Sequence, residues 1–239
     1  MCLKKIIRFL LFTSVFIPVF TQTSDDFYNM GNGYYLQEQY EKAVEAYSRS
    51  IAMNPKDMDA YNNRGITYYQ LGLFDLSIKD FNRVLENEPD AIFTYQSRAI
   101  TYNTMGKFKD ANEDYKMVIK IDPTFAYSYF GILYTSFHLS KTEFKEAYVY
   151  LLENKDILKK NEWLHQVFLY AAGELKDEEL IEKAQNEQSR LNDAYFAIGF
   201  NYLRKRRKRK AKFFFTQCRE TGLKDAPEYF LAKLELSRL

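Results

Sequence analysis

The sequence predicts an all-α protein, a superhelical solenoid of antiparallel helix pairs closed by a C-terminal capping helix. Three observations carry this. Pro55, Pro89 and Pro123 recur at intervals of 34 residues. Small and aromatic residues return in phase with them. The 239 residues contain only 9 Gly and 5 Pro, too few for the many tight turns of a sheet protein. A 46% hydrophobic and 17% aromatic composition supplies the continuous core that such a stack needs.

Each element follows from the phase set by the prolines. Phe27, Tyr61 and Tyr95 take the fourth position of the repeat, Gly31, Gly65 and Ala99 the eighth, and Tyr34, Tyr68 and Tyr102 the eleventh. Ala43, Ser77 and Ala111 take the twentieth, and Tyr47, Phe81 and Tyr115 the twenty-fourth. The eighth and twentieth positions are where the two helices of a pair touch, so only small side chains fit. The aromatic positions are expected to fill the space between one pair and the next. Gly72 and Gly106 sit where the first helix of a pair turns into the second. Each proline ends a second helix, since it lacks an N–H and disfavours helix in the residue before it. The expected helices are therefore 25–37 and 41–53, 58–71 and 74–87, and 92–105 and 108–121.

After Pro123 the pattern loosens. A first helix is expected over 126–139, with Tyr129 in place but Gly131 two positions early, and Ala147 and Leu151 suit a second helix shifted by two. Residues 161–173 and 177–187 form a further degenerate pair, with Asp177 as N-cap. The pattern then returns in Tyr195, Gly199, Tyr202, Ala211 and Phe215, and Pro227, a good first-turn residue, opens a closing helix to Leu236. The organisation read from the chain is a leader over 1–23, three regular repeats over 24–123, two degenerate pairs over 124–188, and a last repeat with its capping helix over 189–239.

The 34-residue period with these residue types resembles the tetratricopeptide repeat (TPR), a scaffold for binding peptides and proteins. The resemblance implies a concave groove lined by fixed positions of each first helix. Here those positions hold Tyr28, Asn32, Tyr35, Asn62, Ile66, Tyr69, Phe93, Gln96, Ile100, Asn103, Tyr127, Phe130 and Tyr134, with Asn63 at their border. The groove is rich in rings with polar tips and short of charge, which suits contact with a protein segment. Some of these rings are equally placed to pack on the next repeat. The chaperone-binding TPR subfamily clamps a terminal carboxylate with a Lys and an Asn, then an Asn, then a Lys and an Arg. Asn32 and Asn63 match, but the cationic positions hold Tyr28, Phe93 and Ser97, leaving little to offset desolvation of a carboxylate. The second half, through AYFAIGFNYL and EYFLAKLEL, is similar to bacterial envelope adaptor lipoproteins of the NlpI family. That similarity implies a periplasmic adaptor role, although the cysteine that such proteins lipidate is missing.

Lys4, Lys5 and Arg8 precede an apolar run from Phe9 to Phe20, followed by polar Thr21 to Ser24. This is the layout of an export signal. The run of about twelve residues is shorter than the roughly 20 that span a bilayer as a helix. Cleavage near Phe20 to Ser24 is expected, with an uncleaved anchor as the other reading. Loss of the leader removes Cys2 and leaves Cys218 without a disulfide partner.

Arg204, Lys205, Arg206, Arg207, Lys208, Arg209, Lys210 and Lys212 form a basic run, which leaves the rest of the chain at −6 against +2 for the whole. It falls at the turn of the last repeat, so part of it belongs to each helix. A solvated turn, an anionic surface or acidic protein, and nucleic acid are the three readings. The export signal and the lack of interleaved aromatic residues weigh against nucleic acid. No glycine-rich phosphate loop, nucleophile elbow or metal-spaced His/Cys set occurs. The expectation is an exported, non-enzymatic adaptor that uses no cofactor and no metal, with a membrane-associated assembly factor held by an uncleaved N-terminus or the basic turn, and then a cytosolic nucleic-acid-associated protein, as the alternatives. The adaptor's expected partner is a protein or peptide, and exposed apolar faces at the ends of the stack leave self-association open.

Overall fold

A computed structural model describes residues 22–125, 127–224 and 226–239. The expected leader lies outside the described residues except for its last two. Among the described residues there are fourteen helices and no strand, and none of the helices is long and apolar enough to cross a membrane.

The three regular pairs are α1 (Ser24–Leu36) with α2 (Tyr40–Met53), α3 (Met58–Gln70) with α4 (Phe74–Asn87), and α5 (Ile92–Thr104) with α6 (Phe108–Ile121). α7 (Tyr127–Leu139) and α8 (Lys141–Glu153) follow, then the four-residue α9 (Lys155–Leu158), α10 (Glu162–Ala172) and α11 (Asp177–Lys183). α12 (Gln188–Arg204) and α13 (Lys208–Glu220) form the last pair, and α14 (Pro227–Arg238) ends the chain. Each helix from α1 to α8 packs on the next, so the stack is continuous. The larger buried core runs from Ala99 to Ala232.

Local chemistry sets the ends. Thr23 and Asp26 form a reciprocal capping box at the start of α1, with Thr23 N donating to Asp26 Oδ2 at 2.8 Å and Asp26 N to Thr23 Oγ1 at 3.2 Å. Asp57, Ser140 and Asn161 cap α3, α8 and α10. The second helices α2, α4 and α6 lack a side-chain cap but carry Glu41, Asp75 and Asp110 in their first turns, where a negative charge meets the positive end of the helix dipole. One residue in each turn between paired helices is left-handed: Glu38, Gly72, Gly106 and Arg206, with φ of 56°, 75°, 73° and 58°.

The small positions do what the pattern predicts. A Cβ on Gly31, Gly65 or Gly199 would lie 2.5, 2.8 or 2.7 Å from the ring of Tyr47, Phe81 or Phe215 respectively. Ala43, Ser77, Ala111 and Ala211 are fully buried. The twenty-fourth ring therefore fills its own pair rather than the space between pairs, because only the glycine of that pair leaves room for it. The third pair differs. Its eighth residue is Ala99, and Tyr115 instead lies against Gly131 of α7, at 2.8 Å from a Cβ built there. Gly131 is thus a receptor for the preceding pair's ring, which explains its displaced register. Gly131→Ala is expected to lower the unfolding free energy by about 1–3 kcal/mol through overpacking. Gly33→Ala, which meets nothing within 4 Å, is expected to leave it level or slightly raised. Urea midpoints of the two variants check this.

Three expectations need correction. Asp177 is not an N-cap but the first residue of α11, and its carboxylate accepts hydrogen bonds from Tyr170 and Tyr202. The helix expected to reach 187 stops at Lys183, and left-handed Gln185 and Asn186 separate it from α12. The closing helix does more than cap the stack. After α13 the chain turns at Gly222 (φ 74°), and α14 packs against α13, α12 and α5. It reaches back onto the face that the first helices of the earlier pairs present.

Candidate functional site

The positions singled out in the first helices do meet along one face, and they spend most of their polar groups on one another. Tyr47 donates to Asn32 Oδ1 at 2.7 Å. Asn63 Nδ2 donates to Tyr28 Oη and Asn32 Oδ1, both at 3.1 Å. Gln70 donates to Tyr35 Oη at 3.2 Å, Thr94 to Asn62 Oδ1 at 2.9 Å, and Tyr69 Oη lies 3.1 Å from Thr104 Oγ1. Almost every one of these bonds joins residues one repeat apart, so the ladder binds pair to pair and holds the rings in place. Tyr28, Asn32, Tyr35, Asn62, Asn63, Ile66 and Gln96 are half-buried. Phe93 is 70% exposed, with only its edge on Phe125.

Of the other predicted groove residues Tyr127 is 37% exposed and Ile100 and Phe130 are half-buried, whereas Tyr69, Tyr134 and Asn103 are engaged by the chain itself. Phe230 of α14 meets the Tyr69 ring edge-on, with centroids 5.0 Å apart. Tyr134, 1% exposed, donates to Glu235 Oε1 at 2.6 Å. Glu235 Oε1 also lies 3.1 Å from His138 Nε2 and 3.0 Å from Arg238 Nη1. Arg238 stacks over Phe108 at 4.9 Å, and Lys224 pairs with Glu38 at 2.7 Å. Burial alone pushes the Glu235 carboxyl up, but His138, Tyr134 and Arg238 outweigh it and hold it below the usual range. Tyr134 is therefore a seat for α14 and not an open contact. Asn103 is likewise fully buried, donating to Tyr115 Oη.

Under α14 lies a cavity walled chiefly by Phe130, Tyr134, Leu164, Phe196, Phe200 and Leu231, enclosing about 80 Å³ in which the centre of a water molecule can move. Tyr127, Asp193 and Glu228 also line it. Asp193 Oδ2 accepts from Trp163 Nε1 at 2.9 Å and from Tyr127 at 3.2 Å. Burial raises Asp193 to about 6 despite these donors. Burial, and then the Asp193 charge, raises Glu228 to about 8.

The basic run divides as its position predicts. Arg204 ends α12, Lys205 to Arg207 make the turn, and Lys208 to Lys212 begin α13. Arg204 lies over Phe144 and Tyr148, and Lys210 over Tyr202 at 4.8 Å. Lys205, Arg206, Arg207, Lys208, Arg209 and Lys212 are exposed. Cys218 is fully buried and burial pushes its thiol up, which fits a packing role. Among the described residues no group of three His, Cys, Asp or Glu is placed to hold a metal.

Sequence reasoning missed two repeated ion pairs. Arg64 Nε and Nη2 donate to both oxygens of Asp80, at 2.7 and 2.8 Å, and Arg98 does the same to Asp114 at 2.9 and 2.6 Å. Each guanidinium lies over two tyrosines of its own helix, Tyr61 and Tyr68 or Tyr95 and Tyr102. The signal was present, since both the arginines and the aspartates recur at the repeat spacing. Phe230, Glu235 and Glu228 had no such signal, because nothing local to α14 shows what it meets.

Comparison with known proteins agrees with the geometry. A family profile described as TPR repeat matches residues 31–72, and one described as tetratricopeptide repeat matches residues 59–91. The chain thus carries tetratricopeptide repeats. No curated protein matches it. Among solved structures it is similar to MamA, residues 41 to the end, from Desulfovibrio magneticus RS-1, at 15% identity and a TM-score of 0.50, over 58% of this chain and 77% of that one. It is also similar to the Arabidopsis OM64 TPR domain, at 21% identity and 0.47, over 48% and 96%. The first TPR of Spaghetti (RPAP3), bound to an HSP90 peptide, aligns at 24% identity and 0.41, over 45% and 85%. At these identities the likeness concerns the fold.

Proposed function

We propose that this chain is a non-catalytic adaptor that holds a segment of another protein on the open part of its concave face, lined by Tyr28, Asn32, Asn62, Asn63, Phe93 and Gln96. One observation carries the reading: the chain's own helix α14 lies in the continuation of that face, seated by Phe230 on Tyr69 and by Glu235 on Tyr134. The face is therefore shaped to take a helical segment through rings and single hydrogen bonds, the mode of helix-in-groove recognition. The hydrogen-bonded ladder fixes the rings before binding, which lowers the entropy lost on association. A terminal carboxylate is not the ligand. Asn32 and Asn63 bond each other, and Tyr28, Phe93 and Ser97 bring no cation to a clamp.

Affinity capture with the wild type and a Tyr28→Ala/Phe93→Ala variant tests this. Two aromatic anchors at roughly 1–2 kcal/mol each predict at least a tenfold weaker hold on any groove partner. Recovery of the same partners in the same yield by both proteins refutes the groove. Tyr69 is unsuited to this test, since its loss would also loosen α14.

We infer further that the protein works after export. The support is the order of Lys4, Lys5 and Arg8, then Phe9 to Phe20, then a polar stretch. Mass spectrometry of the mature protein is expected to find a new N-terminus near Phe20 to Ser24. An intact Met1 in the membrane fraction would instead make the leader an anchor, and an intact Met1 in the soluble cytosolic fraction would sink the export reading.

A further inference from the structure

The turn between α12 and α13 differs from its counterparts in its charge. Its left-handed residue is Arg206 (φ 58°), where the first pair has the acidic Glu38 and the second and third pairs have Gly72 and Gly106. A side chain other than glycine is strained in that conformation, as at Glu38, but here the strained residue carries a positive charge. α13 then starts with Lys208, Arg209 and Lys210 and has no acid in its first turn, whereas α2, α4 and α6 begin with Glu41, Asp75 and Asp110. Three cations at the positive end of a helix dipole oppose it. No cap bond from Arg207 relieves the helix start. Among the described residues, no carboxylate pairs with Lys205, Arg206, Arg207, Lys208, Arg209 or Lys212. Such an arrangement is unfavourable by itself and favourable beside an external negative charge.

A second observation says what kind. Phe213 follows Lys212 directly, lies one helical turn from Arg209, and is 58% exposed, with only its edge on Phe214. Arg204 and Lys210 of the run lie instead over Phe144, Tyr148 and Tyr202. A ring left bare among free cations suits a surface with anionic headgroups above an apolar layer. A soluble polyanion would use the charges and leave the ring in water.

We propose that residues 205–213 are a peripheral docking surface for an anionic lipid bilayer, with six cations at the headgroups and Phe213 in the interface. This surface is separate from the concave face, so the protein can hold a partner while it lies on a membrane.

Vesicle co-sedimentation of the full chain tests the proposal, using phosphatidylcholine vesicles with and without roughly one third phosphatidylglycerol. Each cation near an anionic surface contributes about a fivefold gain in partition, so binding is expected only to the anionic vesicles and is expected to fall steeply with salt. Arg206→Gly is the sharpest variant. It removes one cation and relieves the left-handed strain, so it is expected to weaken vesicle binding about fivefold while raising the melting temperature. Phe213→Ser separates lipid from other anions: it is expected to lose vesicle binding at least tenfold while retention on heparin is unchanged. Vesicle binding unchanged in Phe213→Ser would mean that the ring takes no part, assign the surface to a soluble polyanion and overturn the lipid reading. So would tight binding of duplex DNA or heparin with no sedimentation on anionic vesicles. Binding of wild type and Arg206→Gly to neutral and anionic vesicles alike would overturn it as well.

Discussion

Arg98→Met is expected to lower the unfolding free energy by about 3–5 kcal/mol, the usual cost of leaving a buried charge without its partner. The Arg98 guanidinium is bidentate to Asp114 and donates a third bond, from Nη1, to Asn82 Oδ1 at 2.6 Å. The Asp114 side chain is 5% exposed, so water cannot replace the arginine. Burial already raises the Asp114 carboxyl above its ordinary value, and Arg98 is the chief influence holding it down. Without Arg98 its folded pKa rises further above that of the unfolded chain. The folded form then binds the proton more tightly, so the penalty is escaped below the unfolded pKa and grows as pH rises through the folded one. Urea unfolding should therefore show a larger loss at pH 8 than at pH 5. Arg98→Met/Asp114→Leu should recover most of the stability, because an apolar pair of similar volume leaves no charge to desolvate. Equal losses for the single variant at both pH values, with no rescue in the double variant, would mean that packing and not charge accounts for the effect.

The second large effect is a loss of stability on the alkaline side, traced to Glu228 and Asp193. Burial raises both carboxyls, to about 8 and about 6, with the Asp193 charge adding to the rise of Glu228 and the Glu187 charge to that of Asp193. A carboxyl with a raised folded pKa is protonated more readily in the folded chain. Its contribution is complete below the ordinary carboxylate range and is lost as pH rises through the folded value. At about 1.4 kcal/mol per unit, with some relief from the cavity beside the pair, stability should fall by about 3 kcal/mol between pH 5 and pH 8.5. Glu228→Gln should flatten most of that fall and raise the melting temperature at pH 8.5. Glu228 sits in the first turn of α14, so amide exchange in α14 should quicken with pH beyond its intrinsic increase in the wild type but not in the variant. A wild type whose stability is level across this range would disprove the account. Glu235 titrates the other way. Its carboxyl is held low by His138, Tyr134 and Arg238, so its contribution is present above the ordinary carboxylate range and fades as the solution becomes more acid. The two glutamates together confine the seating of α14 to an intermediate pH range.

Most of the helix boundaries were legible because the repeat is a short-range code. Gly65 and Phe81, or Gly199 and Phe215, lie sixteen residues apart, and the choice of glycine at one is meaningful only with a ring at the other. The same economy made Gly131 misleading: its ring comes from Tyr115, sixteen residues earlier and in the preceding pair. The groove residues were legible as a set, since a fixed position in each first helix points to one side. Their state was not. Whether Tyr28 and Tyr134 are both open, or one is open and one covered, depends on a helix about a hundred residues further on.

The chain alone determined where the helices of the regular pairs start, turn and stop, which side chains are small at most crossings, and where positive charge collects. These are decisions between neighbours within one repeat, and each has a steric or electrostatic reason that the residue itself carries. Only the tertiary structure decided the course of α14 and, through it, how much of the concave face stays open. The contacts that seat α14 join residues as distant as Tyr134 with Glu235 and Glu38 with Lys224. Contacts of that range follow from the curvature accumulated over the whole stack, which no single repeat encodes.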